Sequence, residues 1–323
     1  MARPRLTGRQ RARIARTRQV SSDCTDTYPN TQPGRVIVRH GRSVVVRTPQ
    51  GESVLCALRQ HLDGIACGDQ VRWHPADRDQ GIVVALEPRR NVLSRASFQG
   101  RIKPLAANIT QLIIVLAAQP RPAGYLLDQY LVVATHLDIN AVICLNKADL
   151  LPAAEQHAFC ADFAHYTRLG YPVIPISTKT TDGLHLLQTH LADQTSVLVG
   201  QSGVGKSSLI NALLPQTALE GTLSEATGLG RHTTSTSTLY PLPQGGELID
   251  SPGVRSFRPG QFTRQMLEHG FPELRNLPGQ CRFNDCQHQT EPDCAVQAAL
   301  ARGDIHPARL ASFRQMMQQF NAS

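Results

Sequence analysis

Nine consecutive residues, Gly200-Gln-Ser-Gly-Val-Gly-Lys-Ser-Ser208, carry glycine, lysine and hydroxyl groups in the spacing Gly-x4-Gly-Lys-Ser. That spacing suits phosphate binding. Glycines let backbone N–H groups close around phosphate oxygens, and a following helix adds the positive end of its dipole. Lys206 would reach the β- and γ-phosphates, and the Ser207 hydroxyl would ligate Mg²⁺. The preceding Ser196-Val-Leu-Val199 reads as a buried strand, and Ser208-Leu-Ile-Asn-Ala-Leu-Leu214 opens an amphipathic helix. Gly200, Gln201, Ser202, Gly203, Val204, Gly205, Lys206, Ser207 and Ser208 are therefore the expected phosphate cradle.

Four further stretches complete a nucleotide site. Asn146-Lys147-Ala148-Asp149 follows the strand-like Ala141-Val-Ile-Cys-Leu145. This is the guanine-reading tetrapeptide of GTPases: the Asp149 carboxylate can accept from guanine N1–H and from the exocyclic amine, which adenine cannot match. Lys147 would lie along the base and Asn146 would brace the loop. Ser177-Thr178-Lys179, at the next strand end, would approach guanine O6. Asp250-Ser-Pro-Gly253 follows Glu247-Leu-Ile249 and has the form Asp-x-x-Gly, with Asp250 holding Mg²⁺ through water and the Gly253 N–H sensing the γ-phosphate. Between them, Gly230-Arg-His-Thr-Thr-Ser235 offers Thr233 or Thr234 as a Mg²⁺ ligand in a first switch. Residue 254, where Ras-like enzymes carry a water-orienting glutamine, is valine, so unassisted hydrolysis should be slow. His232 is the candidate for positioning water once a partner orders its loop.

A separate constellation, Cys281-x4-Cys286-x-His288-x5-Cys294, supplies three thiolates and an imidazole within fourteen residues. Soft ligands in a set of four suit structural Zn²⁺. The other cysteines, Cys24, Cys56, Cys67, Cys144 and Cys160, are scattered and read as free thiols of a reducing compartment.

The elements that must hold these groups fall into a clear order. Residues 1–33 form a basic tail and linker; seven arginines lie within the first twenty residues, with no acidic residue among them. Removing those seven from the 33 basic residues leaves 26 against 25 acidic ones, so almost all of the net charge of +8 resides in the tail, where it can neutralise nucleic-acid phosphates. Residues 34–89 hold five short strand patterns separated by Gly- and Pro-rich turns, which suggests a small closed barrel of the OB type. Residues 86–105 read as a basic connector. Within residues 90–259, strand and helix patterns alternate as in a doubly wound, mostly parallel α/β sheet. Helices are expected at Tyr125–Leu137, Glu155–Leu169 and Gly183–Leu191. Residues 260–323 form a loop-rich, zinc-binding and mostly helical module. The longest apolar run, Leu112–Ala118, is too short to cross a bilayer, so no membrane association is expected.

The guanine tetrapeptide precedes the phosphate loop, the reverse of the Ras-like order, which a circular permutation of a sheet with neighbouring termini allows. In this permuted order, with the arginine-rich tail, barrel and cysteine cluster, the chain from about residue 34 resembles the circularly permuted ribosome small subunit-dependent GTPase A family. The resemblance implies a cytoplasmic bacterial GTPase that binds GTP, GDP and Mg²⁺ and carries one structural zinc on ligands of these types. It further implies binding to the small ribosomal subunit and its rRNA during late maturation, stimulation by that subunit, and release; a monomer is expected. The alternative is a GTP-binding, rRNA-binding scaffold protein in which turnover is incidental.

Overall fold

The computed structural model describes residues 28, 30–59, 62, 64–77, 80–96, 102–120, 122, 124–179, 181–215, 237–255, 257, 259–260, 262–275, 277–283, 286 and 288–321. The thiol of Cys24 and the switch residues His232, Thr233 and Thr234 lie outside them.

Five strands open the chain: β1 (Gln32–His40), β2 (Ser43–Arg47), β3 (Ser53–Leu58), β4 (Gln70–Asp77) and β5 (Gln80–Leu86). Their order is β1-β2-β3-β5-β4, with β4 returning to β1 and β3 running parallel to β5. This is a closed Greek-key barrel of the OB type. Alternation puts Val36, Val44, Val46, Val54, Cys56, Val71, Trp73 and Val83 inside it.

A ribbon of β6 (Val92–Ala96) and β7 (Ile102–Ala107) occupies the stretch expected to be a connector. Its polar and basic residues hide the alternation, while Leu93, Leu105 and Ala106 face the core. The α/β unit follows with β8 (Gln111–Ala117), α1 (Gly124–Leu137), β9 (Asn140–Asn146), α2 (Ala153–Ala161), α3 (Ala164–Arg168), β10 (Val173–Pro175), α4 (Thr181–Leu191), β11 (Thr195–Val199), α5 (Lys206–Leu213), β12 (Ser237–Pro241) and β13 (Glu247–Asp250). The helix expected over Glu155–Leu169 is divided into α2 and α3 at Asp162–Phe163. Phe163 at the break is buried and packs edge-on against Phe159.

Strand order is β10-β9-β8-β11-β13-β12, parallel except for β12. Every residue of β8 is buried, as expected for a strand covered on both faces. Leu112, Ile114 and Leu116 pack with Leu127, Tyr130 and Leu131 of α1 on one face. Ile113, Val115 and Ala117 pack with Leu187 of α4 and Leu209 and Leu213 of α5 on the other. From β11 the chain order runs outward to β13 and β12 on one side, while β8, β9 and β10 fill the other. β11 therefore stands at a topological switch point, and a crevice opens at the carboxyl ends beside it.

The barrel is continuous with this sheet. β12, not legible as a strand in the sequence, pairs antiparallel with β1 through Val38–Thr238 and Arg39–Ser237, making one sheet of 11 strands among the described residues. Arg35 of β1 reinforces the joint by pairing with Glu247 of β13 and donating to Thr195 Oγ1 of β11 at 3.0 Å.

Beyond β13 come α6 (Pro252–Arg255), α7 (Arg264–Gly270), α8 (Ala295–Ala301) and α9 (Pro307–Asn321). Thr263 caps α7 by accepting from the Met266 N–H, a hydroxyl cap in the usual position. Leu267, Phe271, Leu310, Phe313 and Met316 form a core that reaches Val132 of α1. Arg309, fully buried, donates to Asp128 Oδ1 of α1 at 2.6 Å and to both oxygens of Glu273, while Tyr166 Oη also donates to Asp128 Oδ1. Removing the guanidinium would leave two carboxylates buried and unmatched. Arg309→Met should therefore lower stability by about 3–5 kcal/mol in urea unfolding, and an unchanged midpoint would show that this cluster does not hold the module.

Candidate functional site

Because β8, β9, β10, β11 and β13 are parallel, the segments leaving them share one edge of the sheet. The groups read from the sequence as nucleotide ligands lie there. Gly200 leaves β11 and Lys206 opens α5; Asn146 ends β9; Ser177 follows β10; Asp250 ends β13.

Backbone geometry explains the glycines of the loop. Gly200, Gly203 and Gly205 adopt φ values of 143°, 83° and 93°, which L side chains rarely adopt. At Gly205 an added Cβ would also stand 2.4 Å from Asn146 Nδ2, so glycine is what admits the neighbouring loop. Left-handed turns of this kind orient successive N–H groups into an anion-binding concavity ahead of the α5 N-terminus. Lys206 is buried, and its ammonium donates to the carbonyls of Gly200 at 2.7 Å and Gln201 at 2.6 Å. Val204 is buried beneath the loop in the sheet's second core, while Ser202, Ser207 and Ser208 are exposed.

The Asn146–Asp149 tetrapeptide grips this loop directly. Asn146 Nδ2 donates to Val204 O at 2.9 Å in a buried contact, and Lys147 Nζ donates to Gly203 O at 2.6 Å. Lys147 adopts a left-handed φ of 61° and starts a short 3-10 turn over Ala148–Leu150. The turn carries Asp149 toward the loop after β10, where Ser177 Oγ donates to Asp149 Oδ1 at 2.7 Å and Lys179 Nζ lies 3.3 Å from Oδ2. The Ser177 hydrogen bond, with help from Lys179, holds the Asp149 carboxyl below its ordinary range. Ser177 Oγ in turn accepts from the Lys179 N–H, and Thr178 stands exposed between them. The sequence points to this loop only as a backbone neighbour of the base. Its side chains also fix and charge Asp149, for which the Ser-x-Lys spacing at a strand end is the one available signal.

Gly253 lies within α6, and its Cα packs so closely on β7 that a Cβ would meet Leu105 Cδ2 at 2.6 Å. Val254 is 1% exposed and belongs to the sheet's first core. Its side chain therefore points into protein.

The cradle fits a magnesium nucleotide in its chemistry. It combines a nest of backbone donors, a lysine, a serine at the first helical turn and a carboxylate at the adjacent strand end. The buried atoms Asn146 Oδ1 and Gln201 Oε1 have no hydrogen-bond partner among the described residues, a deficit that a bound ligand can relieve.

In the C-terminal module, Cys281, Cys286, His288 and Cys294 present one ligand atom each, all within 4.8 Å of one another. His288 Nδ1 lies 3.5 Å from both Cys281 Sγ and Cys294 Sγ, and those sulfurs are 3.9 Å apart. A tetrahedral site with Zn–S bonds of ~2.3 Å separates its sulfurs by about 3.8 Å. The spacing therefore fits zinc. His288 adopts a left-handed φ of 59°, and its carbonyl accepts from Gln297 Nε2 at 2.9 Å, which fixes the ligand's backbone. Burial pushes the Cys286 thiol up to about 11 and lowers the His288 imidazole.

Comparison with known proteins agrees with this geometry. A family model described as RsgA GTPase matches residues 86–259. A protein of Ectopseudomonas mendocina (strain ymp) named small ribosomal subunit biogenesis GTPase RsgA is 45% identical over 291 residues, 88% of this chain and 85% of that one. One of the same name from Pseudomonas syringae pv. tomato is 42% identical over 321 residues, 97% and 93% of the two chains. Among solved structures, YjeQ from Thermotoga maritima is similar with a TM-score of 0.74 at 30% identity, over 91% of this chain and 100% of that one. YloQ, described as a circularly permuted GTPase, gives 0.69 at 28% identity, over 91% and 96%.

The Asp149 contacts carry a pH signature. The carboxylate form is favoured by Ser177, so removing that hydroxyl raises the carboxyl's titration toward its ordinary value. In Ser177→Ala, the side-chain carboxyl resonance of Asp149, followed by ¹³C NMR, should titrate at higher pH than in the parent. An identical titration would remove Ser177 from this role.

Proposed function

Since the chain belongs to the RsgA GTPase family, we propose that it hydrolyses GTP in a Mg²⁺-dependent reaction that the small ribosomal subunit stimulates during its own maturation. GTPase activity follows from family membership. The observation that supports the rest best is the clasp of Asn146 and Lys147 on the phosphate loop, which joins the guanine-reading and phosphate-holding loops into one site.

In this reading Asp149 accepts from the guanine edge, with Ser177 and Lys179 holding its carboxylate in place. Lys206 turns from the loop carbonyls to the β- and γ-phosphates, alongside the amides of Gly200 to Ser208. Ser207, Asp250 and a first-switch threonine, Thr234, hold Mg²⁺, whose charge offsets that developing on the transferred phosphoryl group. The Gly253 N–H reads the γ-phosphate. Val254 is turned into the core and has no polar atom, so the group that orients water comes from His232 or from the partner. Slow basal turnover and activation by the subunit share that cause.

Cys281, Cys286, His288 and Cys294 hold one structural Zn²⁺, which closes a segment with few apolar residues of its own. The arginine-rich tail and the barrel contact rRNA, and the protein works as a monomer in the cytoplasm.

Asp149→Asn should exchange preference for GTP for preference for XTP, and an unchanged preference would refute the guanine assignment. Lys206→Ala should reduce kcat/KM by about 10²–10³-fold, as expected on removing a charged group from a phosphate clamp. Metal analysis should find one zinc per chain, lost in Cys281→Ala. The functional reading itself is tested by titrating GTP hydrolysis with isolated small subunits. The rate should rise on the order of tenfold or more, whereas no rise would favour a scaffold.

A further inference from the structure

A cavity of about 350 Å³ opens where the barrel, the β6–β7 ribbon and the Asp-x-x-Gly segment meet. Its wall includes Arg39 of β1, Arg95 of β6 and Lys103 of β7, with the hydroxyl residues Ser237 and Ser251, and Gly253 closes one side. No Asp or Glu is among the lining residues. Its volume lies within the ~300–1,000 Å³ of small-ligand pockets.

The register of the ribbon gives a second, independent indication. Arg95 and Lys103 are direct cross-strand partners. Like charges placed opposite one another destabilise an antiparallel pair. Nearby cations are matched, Arg89 by Asp69, and Arg35 and Arg47 by Glu247. Among the described residues, neither Arg95 nor Lys103 is ion-paired. Two cations facing each other across a ribbon and into one cavity form an arrangement that an anion relieves.

We propose that this cavity is a second phosphate-binding site, adjoining the nucleotide cradle at Gly253 but built on other side chains. Arg95, Lys103 and Arg39 bind phosphate oxygens there by charge-assisted hydrogen bonds, and the Ser237 and Ser251 hydroxyls add neutral ones. Ser237 begins β12, and Ser251 follows the end of β13. A phosphate in the cavity therefore touches both segments that run from the nucleotide site to the barrel. The chemistry is shared by the sugar-phosphate backbone of RNA and by a free phosphorylated small molecule. Only the RNA source rests on the functional reading above.

The test uses the full chain saturated with a non-hydrolysable GTP analogue, which fills the nucleotide cradle to the γ-phosphate position. Calorimetric titration with sodium pyrophosphate should show binding that weakens at least tenfold in Arg95→Gln/Lys103→Gln. It should persist in the control Arg168→Gln/Arg302→Gln, whose side chains are exposed elsewhere. Lys103→Glu is the second variant: it places a carboxylate opposite Arg95, so the ribbon is strengthened while anion binding is lost. In parallel, the salt dependence of binding is measured with rRNA extracted from small subunits. If RNA is the source, the slope falls by about 1.4–1.8 units in the first double variant, since each phosphate contact contributes ~0.7–0.9. Lost pyrophosphate binding with an unchanged slope assigns the site to a free phosphorylated ligand. No pyrophosphate binding in the parent together with an unchanged slope, or equal losses in the control, overturns the proposal. If subunits fail to stimulate the parent's hydrolysis, the functional reading falls while the pyrophosphate titration still decides the cavity.

Discussion

The hydrogen bond from Asn146 Nδ2 to Val204 O ties together two loops 58 residues apart in sequence, and the site depends on it. The phosphate loop is a run of left-handed glycines that cannot hold its own shape, because glycine admits many conformations. Asn146 and Lys147 fasten it at Val204 and Gly203. In return the loop fixes the start of the 3-10 turn that presents Asp149. The loops proposed for base and for phosphates are thereby joined into one unit.

From that unit two lines of contact run outward into the rest of the fold. One runs along β13 and β12 into β1, where two residue pairs and the Arg35 contacts make barrel and α/β sheet continuous. The other leaves through Gly253 and Val254, whose segment is held to α1 by Tyr130 Oη donating to Phe257 O at 2.8 Å. It then enters the C-terminal module, which Arg309 fastens to the same helix. The permutation is what permits the second route. The Asp-x-x-Gly segment no longer leads back into the sheet but forward into a module with its own core, with fewer than thirty residues between Gly253 and Cys281. Order-to-disorder or positional changes in such segments are a common basis of switching in GTPases.

Chemistry-bearing residues of this chain are highly legible in its sequence, because their spacing is set by the ligand. The Gly200–Ser208 loop, the Asn146–Asp149 tetrapeptide and the cysteine–histidine set each assemble as their spacing implies. The five barrel strands are legible too, since alternating valines between turns leave few other folds. What the sequence hides is lateral. β12 is a five-residue strand ending in Pro241, with no alternation to separate it from the Ser- and Thr-rich stretch before it, and its importance lies in a partner some 200 residues away. The ribbon is hidden by the basic residues that line its cavity. Arg309 is hidden because a buried arginine looks like any surface arginine until Asp128 and Glu273 are brought to it by the packing of α7 and α9 on α1.

A crystal structure of the full chain with Mg²⁺ and a non-hydrolysable GTP analogue tests the central claim most directly. The guanine edge should lie on the Asp149 carboxylate, with the Asn146–Val204 hydrogen bond intact and the Lys206 ammonium moved from the Gly200 and Gln201 carbonyls to the phosphates. A base bound away from Asp149, or a phosphate loop released from Asn146 on binding, would contradict it.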